Sequence, residues 1–197
     1  MGVTMAEVPS TFTLKTGDSA PAFTLPDPAG NQHNLTDILG ENGTLVAFVC
    51  NHCPFVVHLA TQLGDLAREY ARQGINTVAI SSNDVENYPQ DSPEKMAIFA
   101  QESGWEFPYL YDESQDVAHA YSAACTPDFF LFNGDGKLFY AGQFDNSRPR
   151  NNEAIDGSDL RAAMNALLCE GAPVIEAKPA TGCNIKWKPG NEPAYFG

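Results

Sequence analysis

Two cysteines at C-x-x-C spacing, Cys50-Asn51-His52-Cys53, lie between an apolar run, Leu45-Val46-Ala47-Phe48-Val49, and a long amphipathic stretch. The run is apolar throughout, as a strand covered on both faces requires. After it, Val56, Leu59, Leu63, Leu66 and Tyr70 recur at three- and four-residue steps, the period of a helix with one buried side. The dithiol therefore falls at a strand-to-helix junction. Backbone N–H groups and the positive end of the helix dipole favour a thiolate there. The thiolate is the form that attacks disulfides and peroxides. At this spacing the second sulfur can close a small disulfide ring.

The flanking sequence builds an α/β unit around that junction. Gly74 ends the helix, and Thr77-Val78-Ala79-Ile80 reads as a second buried strand, which completes a βαβ unit. Phe23-Thr24-Leu25 and His33-Asn34-Leu35 flank a turn-rich segment and predict a hairpin. Ser92-Pro93 predicts a helix start, N-cap then N1, with an end near Gly104. Tyr109 to Tyr111 reads as a strand and Gln115 to Ala123 as a short helix. Asp128 to Phe132 and Lys137 to Ala141 flank Asn133-Gly134-Asp135-Gly136, a strong hairpin signal. Ser158 to Leu168 predicts a last helix. The expected organisation is a loose lead-in over 1–16, one domain over 17–171, and an irregular tail over 172–197. Ile185 and Trp187 would dock that tail on the domain.

Composition excludes some functions. A formal net charge of −14 argues against nucleic acid and anionic membrane surfaces as partners. No stretch is long and apolar enough to span a bilayer, and Met1 to Asp18 lacks the pattern of a signal peptide. Five cysteines cannot form a complete intramolecular disulfide framework. A reducing, cytoplasmic setting is therefore expected, where a cysteine pair is catalytic or metal-binding more often than structural.

The order of elements, with the C-x-x-C where it falls, resembles the thioredoxin fold. Cys125-Thr126-Pro127 before an apolar strand looks like that fold's cis-proline loop. By this resemblance Thr126 would offer its backbone to a bound thiol partner. Gly17-Asp18-Ser19-Ala20-Pro21-Ala22-Phe23-Thr24-Leu25-Pro26 is similar to the N-terminal signature of the redoxins, the alkyl-hydroperoxide-reductase and thiol-specific-antioxidant branch. Cys50-Asn51-His52-Cys53-Pro54, Ser82-Asn83-Asp84-Val85-Glu86-Asn87-Tyr88-Pro89, Asp145-Asn146-Ser147-Arg148-Pro149 and Gly182-Cys183-Asn184-Ile185-Lys186-Trp187 together resemble a bacterial subgroup of that branch. An inserted element, about Ser82 to Trp105, fits the same comparison. The implied fold is a central mixed sheet flanked by helices, with an N-terminal hairpin and an inserted helix.

Two departures bear on activity. The peroxiredoxin pattern P-x-x-x-T/S-x-x-C, laid on Cys53, puts Cys50 at the Thr/Ser position and Val46 at the proline. That weighs against hydroperoxide reduction. Val49 stands where thioredoxin carries a tryptophan, so the docking surface differs.

The expected function is thiol–disulfide oxidoreduction. A peroxiredoxin-like peroxidase is the runner-up, and a metal-binding or partner-binding module is the rival from another class. Neither redox cycle requires a cofactor, and no complete metal-ligand set is legible. A disulfide or peroxide substrate and an external dithiol reductant are the implied partners. By resemblance Cys50 is the exposed, attacking sulfur and Cys53 resolves. If Pro54 occupies N1, however, Cys53 is the N-cap and lies nearest the dipole. His52 between them would stabilise a thiolate or face solvent. Cys125 and Cys183 are further redox candidates, Arg148 could stand by a thiolate, and Asn83 lies at the carboxyl end of a strand, where sites form.

Overall fold

The computed structural model describes residues 7–169 and 176–196. Residues 1–6 of the expected lead-in and 172–175 of the expected tail lie outside the described residues. At the centre is a five-stranded mixed sheet, built outward from the apolar run before the dithiol. That run is β4 (Gly43–Phe48), and all six residues are buried. Its neighbours follow from the two faces it must cover. After β4 the chain forms α2 (Pro54–Ala71) and returns as β5 (Ile75–Ser81), parallel to β4. β6 (Tyr109–Tyr111) adds parallel to β5. On the other side β8 (Asp128–Asn133) pairs antiparallel with β4, and β9 (Leu138–Gly142) with β8. The strand order is β6-β5-β4-β8-β9.

Side chains alternate across a strand, and β4 separates two cores in this way. Leu45, Ala47 and Val49 join a cluster with Val56, Leu59, Leu63 and Leu66 of α2 and with Leu160 and Met164 of α5 (Ser158–Leu168). Val46 and Phe48 join the opposite cluster, which contains Leu35 and Ile38 of α1 (Leu35–Ile38) and Val117 and Tyr121 of α4 (Asp116–Tyr121). The expected N-terminal hairpin is β2 (Thr24–Pro26) paired with β3 (Gln32–Asn34). The inserted element carries a 3-10 turn at Pro89–Asp91 and then α3 (Pro93–Glu102), which ends before Gly104 at φ +68°. Ser92 is the N-cap of α3, although its side chain makes no capping hydrogen bond.

The two chain ends differ from expectation. Residues 7–9 of the expected lead-in form β1 (Glu7–Pro9), and the expected irregular tail contains β10 (Thr181–Asn184). With β7 (Cys125–Thr126) they form a second sheet of order β1-β10-β7. The reason is local. β7 leaves backbone groups that need partners, and Gly182 lets β10 come close, since a Cβ there would collide with the Thr126 carbonyl. Ile185 and Trp187 are buried in the second core just beyond. The helix expected over Gln115 to Ala123 is shorter, because Gln115 adopts φ +68° as its N-cap. Its side chain turns to the tail instead, donating to Lys186 O at 3.0 Å and accepting from Lys188 N at 2.9 Å.

Candidate active site

Pro54 is the first residue of α2 and Cys53 is its N-cap. Proline is tolerated there because the N–H it lacks would be unpaired in any case. The Cys53 carbonyl accepts from Val56 N and Val57 N, at 3.0 and 2.9 Å, and closes the first turn. Cys50 lies near the start of the loop that joins β4 to α2. Expected as the exposed sulfur, it is 1% exposed, and Cys53 is 0% exposed. The inner core closes over both, and the cis-proline loop faces them. The Thr126–Pro127 bond is cis. Thr126 Oγ1 lies 3.5 Å from Cys50 Sγ, and the Thr126 carbonyl accepts from Cys53 Sγ at 3.2 Å.

Thr126 does not hold its β7 edge open to a partner. Cys183 of β10 pairs with it in register, and Asn184 pairs with Cys125. This pairing brings Cys183 Sγ to 2.8 Å from Cys53 Sγ. Three sulfurs therefore gather at the start of α2, with Cys53 in the middle.

A polar network packs the other side. Asp91, fully buried, accepts from the backbone N–H of Asn51 at 2.8 Å and of His52 at 3.3 Å. Its second oxygen lies 2.6 Å from His52 Nδ1 and accepts from Asn83 Nδ2 at 2.8 Å. Asn83 Oδ1 accepts from Lys186 N at 2.9 Å, so the network reaches the tail. Tyr109 donates to Asn51 Oδ1 at 3.0 Å, and Tyr88 stacks on His52 at 5.8 Å between ring centroids. His52, expected to stabilise a thiolate or face solvent, is held by the Asp91 carboxylate. Lys186 is buried, with Nζ hydrogen-bonded to Asn184 and 5.8 Å above the Tyr88 ring.

These surroundings separate the acidities of the sulfurs. Burial pushes the Cys50 thiol well above its ordinary value, and its hydrogen bond with Cys53 and the Asp91 carboxylate push it further. Burial opposes ionisation of Cys53 as well. There, hydrogen bonds from Cys183, Cys50 and Thr126 and from the Val56 N–H outweigh it, and the Cys53 thiol falls far below its ordinary value. The Cys183 thiol rises, first through its hydrogen bond with Cys53 and then through burial. These surroundings favour ionisation of Cys53 over that of its two neighbours.

The other sequence candidates are more peripheral. Cys125 is buried, and its sulfur points to the Pro127 and Ala180 carbonyls at 3.5 and 3.9 Å. Burial raises its thiol well above the ordinary value. Arg148 spends its guanidinium on the Asp145 and Ser147 carbonyls and on Gln143 Oε1. It lines a small hollow with Phe55, His58 and Pro127, beside the sulfurs but bonded to none. Cys169 is exposed at the end of α5. Among the described residues, one group has metal-ligating atoms close together: Cys50, His52 and Asp91, within 4.8 Å. It leaves out Cys53, the other half of the zinc site that the spacing alone allows. Sequence reasoning missed Asp91 and Lys186. Asp91 carries no local motif, and Lys186 was visible only as a member of the Gly182 to Trp187 block.

The same fold recurs in solved thioredoxin-like structures at low identity. By class the protein is a thioredoxin-like enzyme, an oxidoreductase. More particularly, the chain belongs to the AhpC/TSA family, whose model matches residues 16–141. A crystal structure of an uncharacterized conserved protein from Geobacillus kaustophilus is 50% identical, with a TM-score of 0.90, over 95% of this chain and 99% of that one. Peroxiredoxin Bcp of Escherichia coli K12 is 29% identical over 72% of this chain and 92% of its own. The thiol-disulfide oxidoreductase ResA of Geobacillus thermodenitrificans is 31% identical over 64% and 71%.

Proposed function

We propose that the enzyme exchanges disulfides by a dithiol cycle in which Cys53, rather than Cys50, is the attacking sulfur. The observation that carries this reading is the place of Cys53 at the N-cap of α2, with the Cys183 sulfur 2.8 Å away. The Cys53 thiolate attacks a protein or small-molecule disulfide, releases one product thiolate and forms a mixed disulfide. A neighbouring thiol then displaces the second product thiolate. The cycle ends in a Cys50–Cys53 disulfide, at C-x-x-C spacing, which an external dithiol resets. The cycle suits a reducing compartment such as the cytoplasm.

The test is adduct trapping. A Cys50→Ser/Cys183→Ser double variant should hold a stable mixed disulfide on Cys53. Adducts found only on Cys50, in a Cys53→Ser variant, would reverse the assignment.

One observation favours hydroperoxide as a second substrate. Both sulfurs are almost wholly buried, and a small peroxide reaches such a site more easily than a protein disulfide. Cys53 would then pass through sulfenic acid before closing a disulfide. Side-by-side turnover of reduced protein with a disulfide and with hydrogen peroxide separates the two readings.

A further inference from the structure

Cys183 lies in none of the roles assigned above. It sits on a strand far from the dithiol in sequence, yet its sulfur lies 2.8 Å from Cys53 Sγ. Disulfide bonding needs about 2.05 Å, so a small movement suffices. The placement is built into the fold. β10 is held between β7 and β1, with Cys183 opposite Thr126 on one side and opposite Glu7 on the other. Gly182 permits the close approach to Thr126. A thiol held this way reacts as an intramolecular nucleophile of high effective concentration.

We propose that Cys183 is a third redox cysteine, the thiol that resolves the mixed disulfide on Cys53. This rests on Cys53 being the attacking sulfur. In the first step Cys53–S⁻ and R–S–S–R′ give Cys53–S–S–R and R′–S⁻. In the second, Cys183 gives its proton to R′–S⁻, the product of the first step, and its sulfur bonds to Cys53 Sγ. The bond from Cys53 to R breaks, and R–S⁻ leaves with the electron pair. The two cysteines have lost two electrons and the substrate disulfide has gained them. Cys50 then displaces Cys183 from Cys53, giving the Cys50–Cys53 disulfide and returning Cys183 as a thiol. An external dithiol reduces that disulfide.

Electrostatics favour Cys183 over Cys50 for the second step. The largest cause holding the Cys183 thiol high is its hydrogen bond to Cys53, and Lys186 acts in the opposite direction. Once Cys53 is in a mixed disulfide its negative charge is gone, and Lys186 remains. For Cys50 the largest cause is burial, which persists; its hydrogen bond to Cys53 is lost as well, but the Asp91 carboxylate remains and no cation among the described residues takes its place. Cys183 therefore becomes easier to ionise at the moment it is needed, and Cys50 gains less.

The experiment uses the aromatic disulfide 5,5′-dithiobis(2-nitrobenzoate) on the full chain carrying Cys169→Ser, which removes the exposed thiol. With Cys50→Ser added, the expected result is release of about two equivalents of thionitrobenzoate and a Cys53–Cys183 disulfide by peptide mapping. With Cys183→Ser added as well, one equivalent is released and one stays on Cys53. Gly182→Ala keeps the thiol but moves the strand, and should slow the second release by about tenfold or more. A stable Cys53 adduct in the Cys50→Ser protein, with Cys183 still alkylatable, would overturn the proposal and leave Cys53 as the nucleophile. So would a second release unchanged by Gly182→Ala. No reaction at Cys53 in any variant would remove the nucleophile assignment and this inference together.

Discussion

Two segments close over the dithiol, and they act on its sulfurs in opposite senses. The inserted element, through Asp91, brings a buried carboxylate to the Cys50 side and ties down Asn51 and His52. The C-terminal segment, through β10, brings a thiol to Cys53 with the Lys186 ammonium behind it. One flank disfavours a thiolate on Cys50 and the other favours one on Cys53. On the proposed assignment, position in the C-x-x-C does not by itself choose the attacking sulfur; the charge and hydrogen bonds that other parts of the chain deliver choose it.

The largest effect should come from removing the favoured sulfur. Cys53→Ser should reduce disulfide turnover by about 10³-fold or more, as loss of a covalent nucleophile does. Cys50→Ser should leave the first half-reaction intact, seen as rapid release of the first product thiol. Equal loss of that first phase in both variants would break the comparison between the flanks.

That asymmetry was only partly legible in the sequence. The β4–α2–β5 unit was readable because its signals are local: an apolar run, a helical period and a glycine stop. The Asn133-Gly134-Asp135-Gly136 hairpin was readable for the same reason, since Asn133 Oδ1 accepts from two turn N–H groups. Pro54 also gave a local clue to Cys53 at the N-cap, but resemblance to thioredoxins pointed to Cys50. The contacts that decide between them are not local. Asp91 reaches Asn51 across 40 residues and Cys183 reaches Cys53 across 130. β1 and β10 pair over only three residues, too few for a period-two pattern to register.

A second test concerns how the C-terminal flank is anchored. Asp128, buried beside the cis-proline, accepts from Ser10 Oγ at 2.9 Å, and Ser10 N donates to Ala180 O at 2.9 Å, just before β10. Burial raises the Asp128 carboxyl to about 7, against the hydrogen bonds from Ser10, Ala124 and Phe129. A folded value above the unfolded one means stability present below the unfolded value near 3.8 and lost as pH rises through about 7. Wild-type stability, measured against Asp128→Asn by denaturant unfolding, should therefore fall between about pH 4 and 7, by at most about 4 kcal/mol. A flat difference curve would detach this carboxyl from the flank's anchoring.

The other flank offers a smaller effect. Asp91→Asn keeps an acceptor for the Asn51 N–H and removes the charge. The Cys50 thiol should become more acidic, and the pH profile of its alkylation should move to lower pH. An unmoved profile would mean that burial alone sets Cys50, and the insert would lose its part in the contrast. Asp91→Ala, which strands buried donors, should cost about 1–3 kcal/mol of stability besides.

The smallest effect is expected from Trp187→Phe, at the residue that pins the C-terminal flank from below. Its ring is 7% exposed, packs with Ile185 in the second core and lies 4.6 Å from the His119 ring. Its Nε1 is buried with no hydrogen-bond partner among the described residues. Trp187→Phe removes that donor and some apolar area while keeping an aromatic ring in the core. The lost area destabilises and the lost desolvation penalty stabilises, so the change in unfolding free energy should be under about 1 kcal/mol. Cys53 reactivity should be unchanged, because β10 keeps its pairing to β7. Trp187→Ala removes the ring as well and should cost about 3–5 kcal/mol. With the anchor gone, the Cys53 thiolate should lose its Cys183 donor, and its alkylation profile should shift to higher pH. If Trp187→Ala destabilises the protein but leaves that profile in place, the C-terminal flank holds the fold without tuning the sulfur.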